Sequence, residues 1–382
     1  MLSTSAPFLI LLCAAYAMAA NLFTPIQVGS LHLANRIFMA PLTRCRAGTL
    51  HIPNALMKEH YAQRASAGLI IAEATMIAEK ASAFIREPGA YNAEQLAGWK
   101  EITDAVHAKD GKIFLQIWHG GRAAHPDNND GARNVAPSAI AIDGEVNTLL
   151  GKKRHVVPHA LTVNEIATLV DQFEKVAKNA VDVAGFDGVE VHGANGYVID
   201  QFLRTSSNVR TDQYGGSLEN RGRFLTEILQ AVTEAIGADR VGVRFSPLHS
   251  GNSMRDEDPL ALSEHVAKIA QRFNLAYVHV LRYDRLHVVE GDIVPIFRKH
   301  FHNTLISNVE YTKDEANADI AAGLVDAVAF GVPFIGNPDL VERFRRNAPL
   351  NQADVATYYK GDATGYNDYP FLPAGSTSSD EL

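Results

Sequence analysis

The chain has 382 residues, 47% of them hydrophobic and only 20% charged, so it must fold around a sizeable core and cannot be a disordered segment or a minimal domain. A formal net charge of −8 without a dense Lys/Arg stripe excludes nucleic acid and anionic membrane as electrostatic partners. A small-molecule substrate fits this balance better.

The first twenty residues, MLSTSAPFLILLCAAYAMAA, carry an apolar run without charge and small residues at Ala17, Ala19 and Ala20. They read as a secretory signal peptide cleaved near Ala19, although the stretch before the apolar run lacks Lys or Arg. An uncleaved anchor is the other reading, and the run is short for a membrane span. Removal of the leader takes Cys13 with it and leaves Cys45 alone, which excludes an internal disulfide and a CxxC site and points to an inert buried thiol.

Residues 22–35, with Gly29-Ser30 between short alternating stretches, predict a β-hairpin closing one end of the fold. From Arg36 onward, apolar β-branched runs alternate with helical patterns. The strands are expected at 37–40, 69–72, 113–117, 188–191, 240–245, 276–280, 304–307 and 326–331. Helices are expected at 54–67, 94–108, 163–184, 219–236, 259–273, 312–322 and 338–346, with a shorter one at 294–300. Thr162 and Glu165 form a capping pair, and Gly237 sits where a helix should stop.

Eight strands each followed by a helix predict a single closed (β/α)₈ TIM barrel over residues 21–372. Closure removes both sheet edges, which an open sheet would expose. Insertions at 75–92 and 119–160 follow strands two and three, on the face where barrel enzymes place their chemistry. The tail 373–382 ends in Ser379-Asp380-Glu381-Leu382, which resembles the KDEL/HDEL retrieval signals. With the leader, it predicts residence in the endoplasmic-reticulum lumen and a retrieval receptor as partner.

Chemistry concentrates at strand ends. Pro41-Leu42-Thr43 follow strand one, Gln116, Trp118 and His119 end strand three, and Arg244 ends strand five. Any one of these alone is an ordinary capping or pocket-lining residue. The strand-four group is harder to dismiss, because His192, Asn195 and Tyr197 bring imidazole, amide and phenol within six residues. Two donors aimed at one carbonyl oxygen would stabilise negative charge developing there, and a phenol could deliver a proton to carbon. Neither HExxH, GxSxG nor a carboxylate cluster of ligand spacing occurs, so no metal is expected, and no GxGxxG supports a Rossmann domain.

The stretch FDGVEVHGANGYVIDQFLRTSSNVRTDQYGGSLENRGRF, residues 186–224, resembles the core signature of the old yellow enzyme family of FMN-containing ene-reductases. Further similar segments are NRIFMAPLTR at 35–44, EATM at 73–76, FLQIWHGGR at 114–122, GVRFSP at 242–247, FIGNPDL at 334–340 and TGYNDYPFL at 364–372. The resemblance implies non-covalent FMN on the C-terminal face of the barrel, reduced by NAD(P)H and reoxidised by an enone in ping-pong turnover. It implies that Thr43, Gln116 and Arg244 bond the flavin ring, that Pro41, Leu42 and Ala74 flank it, and that Gly331 belongs to the phosphate loop. By the same resemblance, His192 and Asn195 hold the substrate carbonyl, Tyr197 protonates the α-carbon after hydride transfer from flavin N5, and Trp118 and Phe84 wall the pocket.

The chain departs from the family at the phosphate loops after strands seven and eight. Val309-Glu310 stand where a Gly-Gly pair is common, and Val332 follows Gly331 where arginine is common. Lys313 or Arg345 are candidates to supply the missing charge. Phe84 replaces a frequent tyrosine. Arg282, Tyr283, Arg285 and His287, after strand six, are candidates to meet the nicotinamide or the substrate, or else form a solvated loop. Two alternatives accompany the ene-reductase reading: the same barrel acting on quinones, nitro compounds or peroxides, and a lapsed flavoprotein serving as a scaffold.

Overall fold

The computed structural model describes residues 19–373. The expected leader, apart from Ala19 and Ala20, and the SDEL tail lie outside the described residues.

The chain opens with the hairpin β1 (Ile26–Val28) and β2 (Leu31–Leu33), paired antiparallel with Val28 opposite Leu31. Gly29, the first residue of its two-residue turn, has φ +53°, and a Cβ there would lie 1.9 Å from the Asp239 carbonyl oxygen. Only glycine satisfies both the turn and the close approach. There follow β3 (Ile37–Met39), α1 (Ala55–Gln63), β4 (Leu69–Met76), α2 (Ala93–His107) and β5 (Ile113–Trp118).

The second insertion holds β6 (Val135–Ala136), β7 (Glu145–Thr148), β8 (Gly151–Arg154) and β9 (His159–Ala160), with β7 and β8 forming a polar hairpin. The barrel resumes through α3 (Val163–Asp182), β10 (Gly188–Gly193), α4 (Val198–Leu203), α5 (Leu218–Arg221), α6 (Arg223–Ile236), β11 (Val241–Phe245) and α7 (Pro259–Arg272). It ends with β12 (Tyr277–Leu281), α8 (Val294–His300), β13 (Thr304–Asn308), α9 (Lys313–Ala321), β14 (Ala327–Phe330), α10 (Val332–Gly336) and α11 (Leu340–Arg346).

Strands β3, β4, β5, β10, β11, β12, β13 and β14 pair in parallel and close into a barrel, as expected from the sequence. The helical stripes explain the outer ring. On α3 the buried residues Ile166, Leu169, Phe173, Val176, Ala177 and Ala180 recur at helical spacing, and burying the Phe173 ring alone is worth about 1.5–3 kcal/mol. Thr162 Oγ1 accepts from the Glu165 N–H while Glu165 Oε2 accepts from the Thr162 N–H, so the capping box forms. The single helix expected at 219–236 is interrupted at Gly222, where a Cβ would meet His265 Nε2 of α7 at 2.5 Å.

The barrel interior divides by height. Phe38, Leu69, Phe114 and Tyr277 pack with Ile26, Val28 and Leu33 of the hairpin, so the N-terminal end is apolar and plugged. Further up, register sets Glu190 beside Gln116, His192 beside Arg244, and Arg244 beside His279. The C-terminal half is therefore polar, and the fold itself directs chemistry to that mouth.

Candidate active site

Strand β10 ends in a turn that sets the geometry of the site. Asn195 and Gly196 have φ +58° and +77°, and a Cβ on Gly196 would lie 2.7 Å from Met254 Cγ. Asn195 is held by its backbone: its N–H donates to Ser246 Oγ at 2.8 Å and its carbonyl accepts from Asn252 Nδ2 at 2.9 Å. The Gly196 N–H donates to Asp200 Oδ2, and Asp200 is paired with buried Arg204 at 2.8 Å. Tyr197 then caps α4 in extended conformation. The sequence Asn-Gly at this bend thus decides where the amide and phenol side chains leave the barrel.

His192 Nδ1 accepts the Ala194 N–H at 3.3 Å, which assigns the ring proton to Nε2. Burial, with a further contribution from the Arg244 charge, lowers its pKa well below the ordinary value, so the ring is a neutral donor. The rings of His192 and Tyr197 lie 5.0 Å apart at 79°, and Trp118 stands against both. Among the described residues, His192 Nε2, the Asn195 amide and the Tyr197 hydroxyl have no hydrogen-bond partner. Burial raises the Tyr197 pKa, and the hydroxyl keeps its proton at neutral pH.

The other expected residues sit at the C-terminal ends of the barrel strands or in the loops that follow them. Trp118 is fully buried with its Nε1 unpartnered, so it lies behind the pocket surface, while Phe84 forms the surface itself, 6.0 Å from the Trp118 ring. Ala74 joins Trp118 in one cluster, turned inward where the β4 register shifts between Ala72 and Thr75. That bulge sends Glu73 outward, where its carboxylate accepts from the Arg44 N–H and the Tyr61 hydroxyl. Pro41, Leu42 and Thr43 follow β3, and a Cβ on Gly331 would sit 3.4 Å from Leu42 Cδ2.

Gln116 Nε2 donates to Glu190 Oε1 at 2.8 Å, which leaves its carbonyl oxygen for another group. Glu190 also accepts from His279 Nδ1 at 2.9 Å. Arg244 Nη2 donates to Asn308 Oδ1 at 2.9 Å, but its Nε is buried without a partner. A guanidinium in this state is costly unless an acceptor joins it.

Above Tyr197 opens a cavity of about 360 Å³ lined by Phe84, Ile85, Tyr359, His155 and Asn147 among others. Tyr359, His155 and Asn147 escape sequence reasoning. Tyr359 comes from the C-terminal strap, stacked on Phe84 at 5.9 Å, and its only sequence signal is the Tyr358-Tyr359 pair in a loop. Cys45 also reaches this cavity, in a left-handed loop conformation with φ +57°. Burial first, then the Glu87 and Glu73 charges, push its thiol up to about 12, so it is no nucleophile.

The two cations considered for the phosphate loops are engaged elsewhere. Lys313 bonds Asn347 and Arg345 pairs with Glu342, and both lie over the Phe23 ring. The segment after β12 is occupied as well: Arg282 contacts Val309, Glu310 and Glu315, and the Tyr283 hydroxyl donates to Glu310 Oε2 at 2.6 Å.

A closed barrel whose mouth gathers neutral donors, an unsatisfied guanidinium and an aromatic wall defines a barrel oxidoreductase site for a planar ring and a carbonyl compound. The chain belongs to the NADH:flavin oxidoreductase / NADH oxidase family, which it matches over residues 21–351. A probable flavin mononucleotide-dependent alkene reductase of Leishmania infantum is 49% identical over 91% of this chain and 96% of its own length. The 12-oxophytodienoate reductase 1 of Oryza sativa subsp. japonica is 42% identical over 94% and 95%. Among solved structures, the old yellow enzyme from Trypanosoma cruzi is 44% identical with a TM-score of 0.89, covering 92% of this chain and 99% of that one. Morphinone reductase is 43% identical with a TM-score of 0.90, covering 95% and 99%.

Proposed function

We propose that this chain is an NAD(P)H-dependent, FMN-containing reductase of the C=C bond in α,β-unsaturated carbonyl compounds. The observation that carries this reading is the set of three unpartnered groups, His192 Nε2, the Asn195 amide and the Tyr197 hydroxyl, within six residues of one strand end, with the His192 and Tyr197 rings 5.0 Å apart and Tyr197 lining the cavity. The mouth fits FMN: the buried, unpartnered Arg244 Nε and the free Gln116 carbonyl match the acceptor and donor of a flavin pyrimidine edge. Thr43, Gln116 and Arg244 would bond the ring, Pro41, Leu42 and Ala74 would flank it, and the loop bearing Gly331 would meet the phosphate. When bound, FMN supplies the hydride chemistry that these side chains lack.

The protein residues do the rest. His192 Nε2–H and the Asn195 amide donate to the substrate carbonyl oxygen and stabilise the negative charge that builds there as the β-carbon is reduced. Tyr197 delivers its hydroxyl proton to the α-carbon, and solvent reprotonates it through the cavity. Because His192 is neutral, it polarises the carbonyl without surrendering its own proton. Phe84 and Tyr359 form the aromatic wall against which the alkene is oriented. Anaerobic titration of the purified protein with NADPH, followed by a panel of enones, tests this. Flavin bleaching and enone-driven reoxidation are expected, and a protein that takes up no flavin sinks the reading.

The proposed site of action is the endoplasmic-reticulum lumen, supported by the apolar leader at 1–20 and the Ser379–Leu382 tail, which also implies a retrieval receptor. A tagged copy lacking the last four residues should be secreted; equal retention would overturn this.

A further inference from the structure

Where glycines are common in the family, Val309 and Glu310 both adopt left-handed backbone, with φ +95° and +52°. For a β-branched residue this is a strained conformation that persists only where its surroundings enforce it. The enforcing group is on the neighbouring strand end. Arg282 Nε donates to the Val309 carbonyl at 2.9 Å and Nη2 donates to the Glu310 carbonyl at 3.2 Å. The guanidinium is fixed from its far side by Glu315 on α9 and lies over the Tyr311 ring, 3.7 Å from its centroid.

A trans peptide points its N–H opposite its C=O. Drawing the Val309 and Glu310 carbonyls toward Arg282 therefore aims the N–H groups of Glu310 and Tyr311 away from it, and neither donates to another group among the described residues. The Glu310 carboxylate is turned aside to the Tyr283 hydroxyl and Arg285, so it does not occupy the face those N–H groups address. Paired N–H groups of this kind form an anion-binding concavity, and in barrels the loops after strands seven and eight are where phosphates sit.

We propose that Arg282 is a positioning residue that takes over the role of the missing glycines: it clamps two carbonyls so that a loop without glycine presents main-chain N–H groups to the cofactor phosphate. The proposal rests on the FMN assignment above. It assigns Arg282 to the phosphate half of the cofactor and leaves the ring half to Gln116 and Arg244.

Titration of FMN and of riboflavin into the deflavinated full chain, followed by flavin fluorescence, separates the two halves. Arg282→Ala is expected to weaken FMN about tenfold, equivalent to about 1.4 kcal/mol, and to leave riboflavin affinity unchanged. Adding Val309→Gly and Glu310→Gly to Arg282→Ala should restore FMN binding, since glycine adopts the conformation without a clamp. Arg282→Lys should remain impaired, because one ammonium cannot span both carbonyls. Equal losses for FMN and riboflavin, no rescue by the glycines, or full FMN affinity in Arg282→Lys would each overturn the inference alone. A wild-type chain that binds neither flavin overturns the proposed function, and this inference with it.

Discussion

The Trp118 ring stands edge-on to Tyr197, 4.5 Å between centroids at 82°, and thereby fixes the direction of the phenol. Tyr197→Phe should keep this packing while removing the proton. Enone-driven reoxidation should then slow about 100-fold or more, the usual share of a general acid, with nicotinamide-driven reduction nearly unchanged. Stopped-flow measurement of the two half-reactions decides it, and equal slowing of both refutes the role. Since burial raises the Tyr197 pKa, the donor should persist to pH values above about 10, where an ordinary tyrosine ionises.

This trio was legible from sequence because strand end and bend are encoded locally: GVEV is a buried strand and Asn195-Gly196 a left-handed turn. The eight strands were legible for the same reason, as β-branched runs buried on both faces. What was not legible depends on distant parts of the chain. β4 runs on to Met76 through a bulge whose Glu73 is stabilised by Tyr61 and Arg44. The β7–β8 hairpin is polar, and β8 is exposed throughout, so no alternation marked it. The left-handed Val309-Glu310 loop depends on Arg282, which no local pattern connects to it.

His192 offers a second test. Replacing a donor to developing negative charge costs about 2.7–4 kcal/mol, so His192→Ala should lower the rate of enone reduction by 100-fold to 1000-fold. His192→Asn, which retains an N–H donor, should lose less. Burial and the Arg244 charge hold the imidazole neutral, so the wild-type pH–rate profile should lack a limb near 6.5. A limb there that disappears in His192→Asn would contradict the neutral assignment.

Glu73 links the site's scaffold to pH. Burial pushes its carboxyl up to about 7 from an ordinary 4.5. Below about 4.5 the group is protonated whether the chain is folded or not; between about 4.5 and 7 the unfolded chain releases its proton first, and folding loses ground. Above 7 the loss is complete, at about 3 kcal/mol from roughly 1.36 kcal/mol per pH unit. Glu73→Gln removes this titration. The thermal midpoint of the variant relative to wild type should therefore rise between pH 4.5 and pH 7.5, and a constant difference would show that Glu73 does not titrate in this window.

The strap that brings Tyr359 to the pocket is anchored by two buried arginines. Arg44 Nε and Nη2 donate to the carbonyls of Tyr358 and Gly365, and Arg46 Nη2 donates to that of Thr357, both arginines being buried beside Thr43. The same loop therefore carries a flavin-side residue and the anchors of the substrate wall. Arg46→Ala frees the strap and leaves carbonyls such as that of Thr357 without their donor, while Tyr359→Ala removes only the ring stacked on Phe84. Both should raise KM for bulky enones that need the Phe84–Tyr359 wall and leave KM for a small cyclic enone nearly unchanged, but only Arg46→Ala should lower the thermal midpoint. If both variants shifted KM for small and bulky enones alike, Tyr359 would have no part in selecting substrate size.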